Sequence, residues 1–467
     1  MNTYRLLFGL LLVAIAIPLA TLQPAVIPSQ TATVPQQCQP TPDRPVAGGG
    51  DAAISGTVAQ ATENQSIVEI NYTAREQPFL DELYITLPPG ATLVNQSGFD
   101  SAGGQSLDAR VQRGDQLTLR YALTKLGRAG ATAFENMSYV AGSDWVIAPT
   151  PAHNGADTTL QPAGSGVIGA NMLYLGNYTA QTRTVGCQNI TLVVPAAADL
   201  DPKPKLDSLS GAARSVSVGS AYSTVRIFAS PQPITAVGGF VPRSQNNILI
   251  EADAPLRSAE NPWVHEYIHT RQAVYEGQNF TWFQEASATY YAARLSLEQG
   301  LISSAAYDAA LAQNAQYDPS TDLATANAEE VAYRWGAVVL ARLDAALIQR
   351  GHTLAGVFDT VNREGTTYAD FEAQLAQRGL NDSQLNETRA TVLDGDRPDP
   401  APAYTSQWQW LPRPLLAQWP LLLMVPPFLL GVIGSILVGD ELSTWFDAIR
   451  GAEREDSAED DTTADDD

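Results

Sequence analysis

Short runs of alternating apolar and polar residues fill the first half of the chain. Between about residues 51 and 250, runs such as 82–87 and 116–121 are bounded by turn sequences that include Pro-Pro-Gly and Arg-Gly-Asp. Period-two alternation of this kind is typical of antiparallel strands with one buried face. The pattern predicts a β-sandwich over about 51–125. Further strands are predicted at 190–194, 215–229 and 247–251.

After about residue 260 the apolar residues recur at helical spacing instead, and Gly or Asn-Asp turns separate the segments. The predicted helices cover 262–276, 282–298, 303–315, 327–349, 354–362, 367–377 and 382–393. Strands followed by helices indicate an α+β fold class. We therefore expect an N-terminal β-sandwich-like, β-rich domain over 51–200 and a mainly helical domain over 201–395.

The N-terminal residues predict export. Arg5 precedes an apolar run over 6–20, which is typical of a secretory signal peptide, here placed at 1–25. An uncleaved N-terminal anchor is the alternative. Residues 26–50 are rich in Pro, Gln, Thr and Gly, and we expect them to be a spacer.

A second apolar segment, Leu415–Val438, contains no charged residue. At about 1.5 Å per residue its length reaches roughly 36 Å, which is enough for a transmembrane helix with some tilt. The alternative is a buried soluble helix, but the three prolines at 420, 426 and 427 fit that poorly. We expect a linker over 396–414 and an acidic disordered tail over 439–467. The predicted topology places the folded domains outside the cell and the tail in the cytoplasm.

The charge balance excludes one class of partner. The chain has 50 acidic and 27 basic residues, a formal charge of −23, and so lacks the basic surface that nucleic-acid binding requires. Lysines occur only at 125, 203 and 205. This composition resembles proteins of salt-adapted microbes, particularly haloarchaea, in which concentrated salt screens a carboxylate-rich surface.

Two further features agree with export. The only cysteines, Cys38 and Cys187, can form one disulfide in an oxidising compartment, whereas two unpaired buried thiols are the alternative. Asn-x-Ser/Thr acceptors for glycosylation precede the predicted membrane helix. They lie at Asn64, Asn71, Asn95, Asn136, Asn177, Asn189, Asn279, Asn381 and Asn386.

Two of the four histidines lie in one His-Glu-Tyr-Ile-His sequence. On a helix His265 and His269 share a face, so both imidazoles can bind one zinc ion. Glu266 can take a proton from the attacking water as a general base. A helix that carries two histidines by chance is the alternative. We expect this helix to begin at the N-cap Asn261 and to end at Gly277.

Zinc needs a third protein ligand, and Glu285 is the candidate. Residues 281–284, Thr-Trp-Phe-Gln, predict a capping box that opens a second helix, and Glu285 follows in its first turn. The alternative is an acidic residue favoured there only by the helix dipole. Glu276 is the rival ligand, but it would lie about 10 Å beyond His269 along the same predicted helix.

These residues resemble the gluzincin metallopeptidases, especially the aminopeptidase N and glycyl aminopeptidase-like groups. Those enzymes carry a Trp-Phe/Leu-x-Glu-Gly segment whose glutamate is the third zinc ligand, and residues 282–285 are similar to it. Tyr333 and the following Arg-Trp-Gly resemble their Tyr-x-x-Gly segment, whose tyrosine stabilises the oxyanion. The alternative for Tyr333 is that it packs in the core of its helix. The resemblance covers roughly 240–390. It implies a Zn²⁺ cofactor held by His265, His269 and Glu285, with Glu266 and Tyr333 as catalytic residues.

The chain departs from those groups in three ways. Fifteen residues separate His269 from Glu285, fewer than those groups usually have, and Ala286 stands where they usually carry Gly. They also bind the free amine of the substrate with acidic residues, one of them in a Gly-x-Met-Glu-Asn-like strand. The nearest candidate here, the Gly-Gly-Phe-Val-Pro segment at 238–242, has no glutamate.

The sequence thus predicts a membrane-anchored extracellular zinc metallopeptidase that acts on a peptide or protein substrate. Aminopeptidase and endopeptidase activity both stay open, as does the oligomeric state. The alternative function is a cell-surface binding or structural glycoprotein with an inactive or structural zinc site. Glu266 argues against it, because a structural site needs no general base. His153 and His352 are expected to be structural or surface groups.

Overall fold

A computed structural model of the chain describes residues 53–401, apart from 63–65, 76–80, 89, 104, 124–138, 156, 217, 220, 235–238, 242–245, 274, 320 and 327–329. The predicted signal peptide, spacer, transmembrane helix and acidic tail lie outside the described residues, as does most of the predicted linker. Among the helices that are described, none has both the length and the hydropathy that crossing a bilayer requires.

Strands dominate the N-terminal half of the described chain. They are β1 (Ile54–Gln60), β2 (Ile67–Ala74), β3 (Asp81–Thr86), β4 (Thr92–Ser97), β5 (Asp100–Gly103), β6 (Ser106–Val111), β7 (Gln116–Ala122), β8 (Val140–Ala141), β9 (Val146–Pro149), β10 (Ala152–Gly155), β11 (Thr158–Pro162), β12 (Gly166–Ile168), β13 (Met172–Leu175), β14 (Tyr178–Val185), β15 (Gln188–Pro195), β16 (Thr224–Ser230), β17 (Gly239–Phe240) and β18 (Asn247–Glu251).

Helices dominate the C-terminal half. They are α1 (Pro202–Ser215), α2 (Pro262–His269), α3 (Phe283–Glu298), α4 (Ser304–Ala315), α5 (Glu330–Ile348), α6 (Leu354–Val361), α7 (Tyr368–Gln377) and α8 (Asp382–Leu393), with a short 3₁₀ helix at Leu323–Thr325. The chain therefore forms a mixed α+β architecture with the strands first, as its hydrophobic pattern predicts.

The first strands form two sheets, ordered β11-β1-β2-β7-β4 and β10-β3-β6-β5. Alternation places one face of each strand in the interior: in β2, Val68, Ile70 and Tyr72 are buried, while Glu69 and Asn71 are not. The buried residues of both sheets belong to one hydrophobic core. The strands predicted within 51–125 are confirmed, and β10 and β11 extend the two sheets beyond that range. The expectation of antiparallel pairing is wrong at one edge, where β11 is parallel to β1.

A third sheet, ordered β12-β13-β9-β8, joins this core to the next layer. Because neighbouring residues of a strand face opposite ways, β13 contributes to both sides. Leu173 belongs to the core of the first two sheets. Tyr174 belongs to a second core that includes Phe228 of β16 and Leu249 of β18. The third sheet is therefore buried on both faces.

The fourth sheet, ordered β14-β15-β16-β18-β17, lies next to the helices. Strands β15, β16 and β18 are parallel, and the edge strands β14 and β17 are antiparallel to their neighbours. The predicted strands at 190–194 and 247–251 are confirmed. This sheet takes strands from both sides of residue 200, and the predicted domain division at that position stays a prediction.

The strand predicted at 215–229 is wrong in its first part. Residues 202–215 form α1, and β16 begins only at Thr224. The side chain of Asp201 accepts a hydrogen bond from the N–H of Lys203 and so caps α1. Pro202 and Pro204 occupy the first turn, where a missing N–H costs no helical hydrogen bond. The sequence analysis does not predict α1, and its two prolines are a local signal for a helix start at this position.

All seven helices predicted after residue 260 are present as α2–α8. Side chains that cap the first turn explain where several begin. Ser303, Thr353, Thr367 and Asn381 each accept a hydrogen bond from a backbone N–H two or three residues into their helix. The bounds of α4, α6, α7 and α8 accordingly follow the predicted bounds closely.

The prediction that the first of these helices extends to Gly277 is wrong, because α2 ends at His269. After His269, a side chain from a distant part of the chain forms hydrogen bonds with backbone groups that would otherwise continue the helix. Asn362 accepts a hydrogen bond from the N–H of Ala273 (2.7 Å) and donates one to the carbonyl of Arg271 (2.8 Å). Gly277 instead packs its Cα against the carbonyl of Thr366, where a Cβ would not fit.

Two export-related features fall within the described residues. Cys187, at the turn between β14 and β15, is disulfide-bonded, and its predicted partner, Cys38, lies outside the described residues. Of the predicted glycosylation acceptors, Asn279 is half-buried and the other described ones are exposed. The exposed acceptors are Asn71, Asn95, Asn177, Asn189, Asn381 and Asn386.

A buried ionic network holds three helices together. Asp344 of α5 accepts a hydrogen bond from the hydroxyl of Tyr290 (2.5 Å) and one from the guanidinium of Arg294 (3.4 Å), both on α3. Its other oxygen accepts from the N–H of Leu354, the first residue of α6 (2.8 Å). Both charged side chains are at most 10% exposed. Arg294 also pairs with Glu298 (2.7 Å), so removing Asp344 would leave it that partner but would take a buried acceptor from three donors at once.

We expect Asp344→Ala to lower the free energy of unfolding by about 3–5 kcal/mol, because Arg294 and Tyr290 lose a buried partner. Asp359→Ala is the matched control, since Asp359 is exposed on α6, and should change stability by less than about 0.5 kcal/mol. Denaturant titration of both variants in high salt measures the difference. Equal stability of the two variants would contradict this account of the network.

Candidate metal centre

Helix α2 is fixed at its start and along its buried face. The side chain of Asn261 accepts from the N–H of Val264 (3.4 Å) and donates to the hydroxyl of Ser296 on α3 (2.9 Å), so the predicted N-cap is confirmed. The hydroxyl of Tyr267 donates to the side-chain oxygen of Gln188 on β15 (2.8 Å). These contacts hold α2 between the fourth sheet and α3.

Helix α3 begins differently from its predicted capping box. Trp282 is the N-cap and makes no capping side-chain hydrogen bond. The hydroxyl of Thr281 donates instead to the carbonyl of Ala326 (2.7 Å). The helix follows from a preceding turn, in which the N–H of Phe283 bonds the carbonyl of Phe280 (3.1 Å). The expected position of Glu285, in the first turn of this helix, is confirmed.

The structure brings the three candidate ligands together. Nε2 of His265 lies 3.1 Å from Nε2 of His269, and each of these nitrogens lies 3.3 Å from Oε2 of Glu285. Ligand atoms bound at about 2.0–2.2 Å by a tetrahedral zinc ion lie roughly 3.3–3.6 Å from one another. The observed separations are close to those values, so these residues fit a zinc ion. Among the described residues no other group of three His, Cys, Asp or Glu side chains meets in this way.

Glu276 is exposed and does not belong to the group. Glu276 does not lie two turns further along the helix of His269, as predicted, because α2 ends at His269. The choice of Glu285 over Glu276 nevertheless agrees with the structure. The chain reverses direction between α2 and α3, and this reversal brings the first turn of α3 to the histidines.

The electrostatics of the cluster favour a cation. Burial lowers the pKa of His269, but the charge and hydrogen bond of Glu285 outweigh burial and raise it to about 9. Burial likewise raises the pKa of Glu285, but the charge of His269 and hydrogen bonds from both histidines hold it well below its usual range. The two imidazole nitrogens and the carboxylate oxygen face one point. A positive charge at that point, either a proton or a metal ion, stabilises all three.

Glu266 lies beside this cluster, only 4% exposed. Burial raises the pKa of its carboxyl, and the charge of Glu285 adds to that, whereas His265 and His269 act in the opposite direction. The backbone of edge strand β17 packs against it. A Cβ on Gly239 would stand 2.9 Å from Cγ of Glu266 and 3.2 Å from its Oε1. A glycine is therefore needed at this position, whereas the sequence drew attention to this segment only for its missing acidic residue.

Tyr333 of α5 lies on the other side of the cluster. Its ring stacks on the imidazole of His265, with the centroids 5.7 Å apart and the planes 7° from parallel. Burial raises the pKa of the phenol, and the charges of Glu285 and Glu266 and a hydrogen bond with Glu285 raise it further. The phenol therefore keeps its proton and can donate a hydrogen bond into the site.

Close contact between α3 and α5 places Tyr333 there. Gly336, one helical turn after Tyr333, meets Ala286, the residue next to Glu285, and a Cβ on Gly336 would overlap the Cβ of Ala286. Small residues on both helices let the two backbones approach closely. The Tyr-x-x-Gly spacing thus has a packing reason in this chain, and the roles of Tyr333 as oxyanion donor or packing residue both stay predictions.

The two remaining histidines lie apart from the cluster, as the sequence predicts. His153 is buried in the first layer of sheets, with its Nε2 hydrogen-bonded to the hydroxyl of Tyr72 at 2.9 Å. His352 is exposed between α5 and α6. One contact of the cluster was missed by sequence reasoning: Nδ1 of His269 lies 2.7 Å from the side-chain oxygen of Gln272. No pattern in the sequence marks Gln272, since it lies beyond the end of α2.

Comparison with solved structures finds several of partly similar fold. The M1 zinc metallopeptidase of Deinococcus radiodurans is 16% identical, with a TM-score of 0.47 over 75% of this chain and 95% of that chain. A variant of it bound to a Tyr-Ser-Ala substrate is 15% identical, with a TM-score of 0.46 over 72% of this chain and 91% of that chain. An aminopeptidase N family protein from Idiomarina loihiensis is 12% identical, with a TM-score of 0.45 over 78% and 75% of the two chains.

No protein-family model matches the sequence, and comparison with curated proteins gives no match. At such identities and TM-scores, the structural likenesses do not establish the family of this chain. The case for a metal centre therefore depends on the geometry of its own residues.

We expect Glu285→Ala to abolish stoichiometric zinc binding, because two imidazoles alone leave the ion without its anionic ligand. Glu276→Ala is the control and should bind one zinc ion per chain like the unaltered protein. Metal analysis after dialysis against a weak chelator measures both variants. Zinc retained by Glu285→Ala and lost by Glu276→Ala would contradict the assignment of the third ligand.

Proposed function

We propose that the protein is a zinc metallopeptidase that hydrolyses peptide bonds in an extracellular peptide or protein substrate. The observation that carries the proposal is the convergence of His265, His269 and Glu285 on one point, with the buried carboxylate of Glu266 beside it. Structural zinc sites have four protein ligands, whereas catalytic sites have three and leave one position open. The three ligands found among the described residues favour a catalytic site over a structural one.

Each residue has a defined part in such a reaction. When bound, zinc supplies a Lewis acid that polarises the scissile carbonyl and lowers the pKa of water. Glu266 takes a proton from the attacking water and later gives it to the leaving amine. The raised pKa of Glu266 suits this exchange, because a base whose pKa is nearer to neutrality can both accept and return the proton.

Tyr333 donates a hydrogen bond to the oxyanion that develops on the substrate carbonyl. Its position against His265 supports this role, because the stacked ring places the phenol at the edge of the ligand cluster. A donor already in position when charge develops needs no reorganisation, which is how such groups lower a barrier.

Edge strand β17 supports a peptide as the substrate. Among the described strands it pairs with β18 alone, antiparallel, with Gly239 opposite Ile250 and Phe240 opposite Leu249. Its other side can therefore pair with an extended peptide, and Gly239 brings that peptide next to Glu266. The described part of β17 carries no acidic side chain for a free amine. Aminopeptidase activity is the finer possibility, and mapping cleavage sites on a mixed peptide library distinguishes it from internal cleavage.

The location of the protein is part of the proposal. We propose that residues 415–438 anchor it in the cell membrane, with the peptidase outside and the acidic tail in the cytoplasm. The formal charge of −23 supports a protein that functions in concentrated salt, because salt screens the repulsion between its carboxylates. Protease added to intact cells should then remove the body and spare the tail. Recovery of the intact chain from the soluble cytosol would contradict this placement.

We expect Glu266→Gln to keep bound zinc while turnover of a peptide substrate falls by about 10²-fold or more, because the amide cannot accept the proton. Glu276→Gln makes the same chemical change at an exposed position and should leave turnover unchanged. Hydrolysis of the peptide library in high salt, together with zinc analysis, measures both variants. Near-normal turnover by a folded, zinc-loaded Glu266→Gln protein would mean that another group is the base.

We expect Tyr333→Phe to lower turnover by about 10²–10³-fold with little change in zinc content, because one oxyanion donor is lost. Tyr291→Phe is the control: among the described residues its buried hydroxyl has no hydrogen-bond partner, so its removal should not affect turnover. Steady-state kinetics on one peptide compares the two. If both variants were equally active, Tyr333 would be a packing residue only.

A further inference from the structure

The side chain of Gln272 connects His269 to helix α3. Its oxygen lies 2.7 Å from Nδ1 of His269. Its amide nitrogen donates to the carbonyl of Gln284 (2.7 Å) and to the hydroxyl of Ser287 (2.8 Å). Gln272 is 8% exposed and Ser287 is fully buried. These contacts are therefore largely shielded from water, which would otherwise replace them.

The partners of Gln272 fix which way its amide points. The carbonyl of Gln284 can only accept a hydrogen bond, so the atom facing it must be the amide nitrogen. A reversed amide would set its oxygen against that carbonyl and its NH₂ group against His269. The oxygen of Gln272 is thus left to face Nδ1 of His269, and it too can only accept.

The orientation of this amide in turn fixes the proton on His269. Because the Gln272 oxygen accepts only, Nδ1 of His269 must carry the hydrogen. In the neutral imidazole the lone pair then lies on Nε2, the nitrogen that faces His265 and Glu285. The opposite tautomer would turn an N–H toward the metal position and leave two acceptors facing each other. Which ring nitrogen binds a metal is commonly set by the hydrogen bond of the other.

We propose that Gln272 is a positioning residue for the metal centre, which holds the tautomer and ring orientation of His269 that zinc binding requires. This inference rests on the proposed function, since it takes the cluster to be a zinc site. Gln272 can act in this way because α2 ends at His269. The chain turns there and directs the Gln272 side chain to α3, the helix that carries the third ligand. One side chain thus joins the end of the histidine helix to the start of the Glu285 helix.

The test compares Gln272→Met with Gln188→Met. Methionine keeps the approximate length of glutamine and removes its amide. Gln188 is a matched control because it is also buried and also bonds α2, through the hydroxyl of Tyr267, while its amide nitrogen donates to the carbonyl of Tyr222. Neither of these two hydrogen bonds involves a candidate metal ligand. Competition with a chromophoric chelator measures the Kd for zinc of each folded protein.

We expect Gln272→Met to weaken zinc binding by about 10–100-fold, as is typical when a partner of a ligating histidine is lost. Gln188→Met should keep the Kd within about threefold of that of the unaltered protein, a difference of less than roughly 0.7 kcal/mol. Equal Kd values for Gln272→Met and the unaltered protein would overturn the role of Gln272. An equal loss in both variants would do the same, because it would show a general effect on α2.

A measurement on the unaltered protein does not depend on how the variants fold. In the zinc-loaded protein, ¹⁵N NMR of the imidazole should show a proton on Nδ1 of His269. Zinc loading without a proton on that nitrogen would overturn the inference and leave the proposed function intact. Failure of the unaltered protein to bind zinc at all would overturn the proposed function and this inference with it.

Discussion

Three ligand atoms that face one point between two helices are the constraint on which the helical half of the structure depends. His265, His269 and Glu285 are each only 10–13% exposed, so their lone pairs and charge cannot be satisfied by bulk water. Positive charge between them would offset this. The surrounding chain holds α2 and α3 so that these three atoms lie 3.1–3.3 Å from one another.

Several contacts maintain that separation. Asn261 joins the start of α2 to Ser296 of α3, while Gln272 joins the end of α2 to the first turns of α3. On the far side of α3, Gly336 allows α5 to approach closely. Asp344 then locks α3, α5 and α6 through buried hydrogen bonds. The ligand geometry is therefore set by contacts at both ends of α2, and the buried network of Asp344 fixes the helices behind it.

The sheets position the opposite wall of the site. The third sheet is buried on both faces and so fixes the fourth sheet against the first two. Edge strand β17 of the fourth sheet places Gly239 next to the Glu266 carboxylate. The missing side chain there leaves room for the Glu266 carboxylate, and among the described strands β17 pairs with β18 alone. Burial by the same layer raises the pKa of Glu266.

The sequence by itself determined the features that depend on local periodicity: the strands within 51–125, the helices after residue 260, and the shared face of His265 and His269. Only the tertiary structure decided where α2 ends, how α3 begins and what holds His269. The first two outcomes depend on hydrogen bonds to distant residues: Asn362 is 89 positions from Ala273, and Ala326 is 45 from Thr281. Gln272 is only three positions from His269, but its amide is oriented by Gln284 and Ser287 of α3. A local pattern cannot report such partners, because a backbone group released from a helix is satisfied by whichever side chain the fold brings to it.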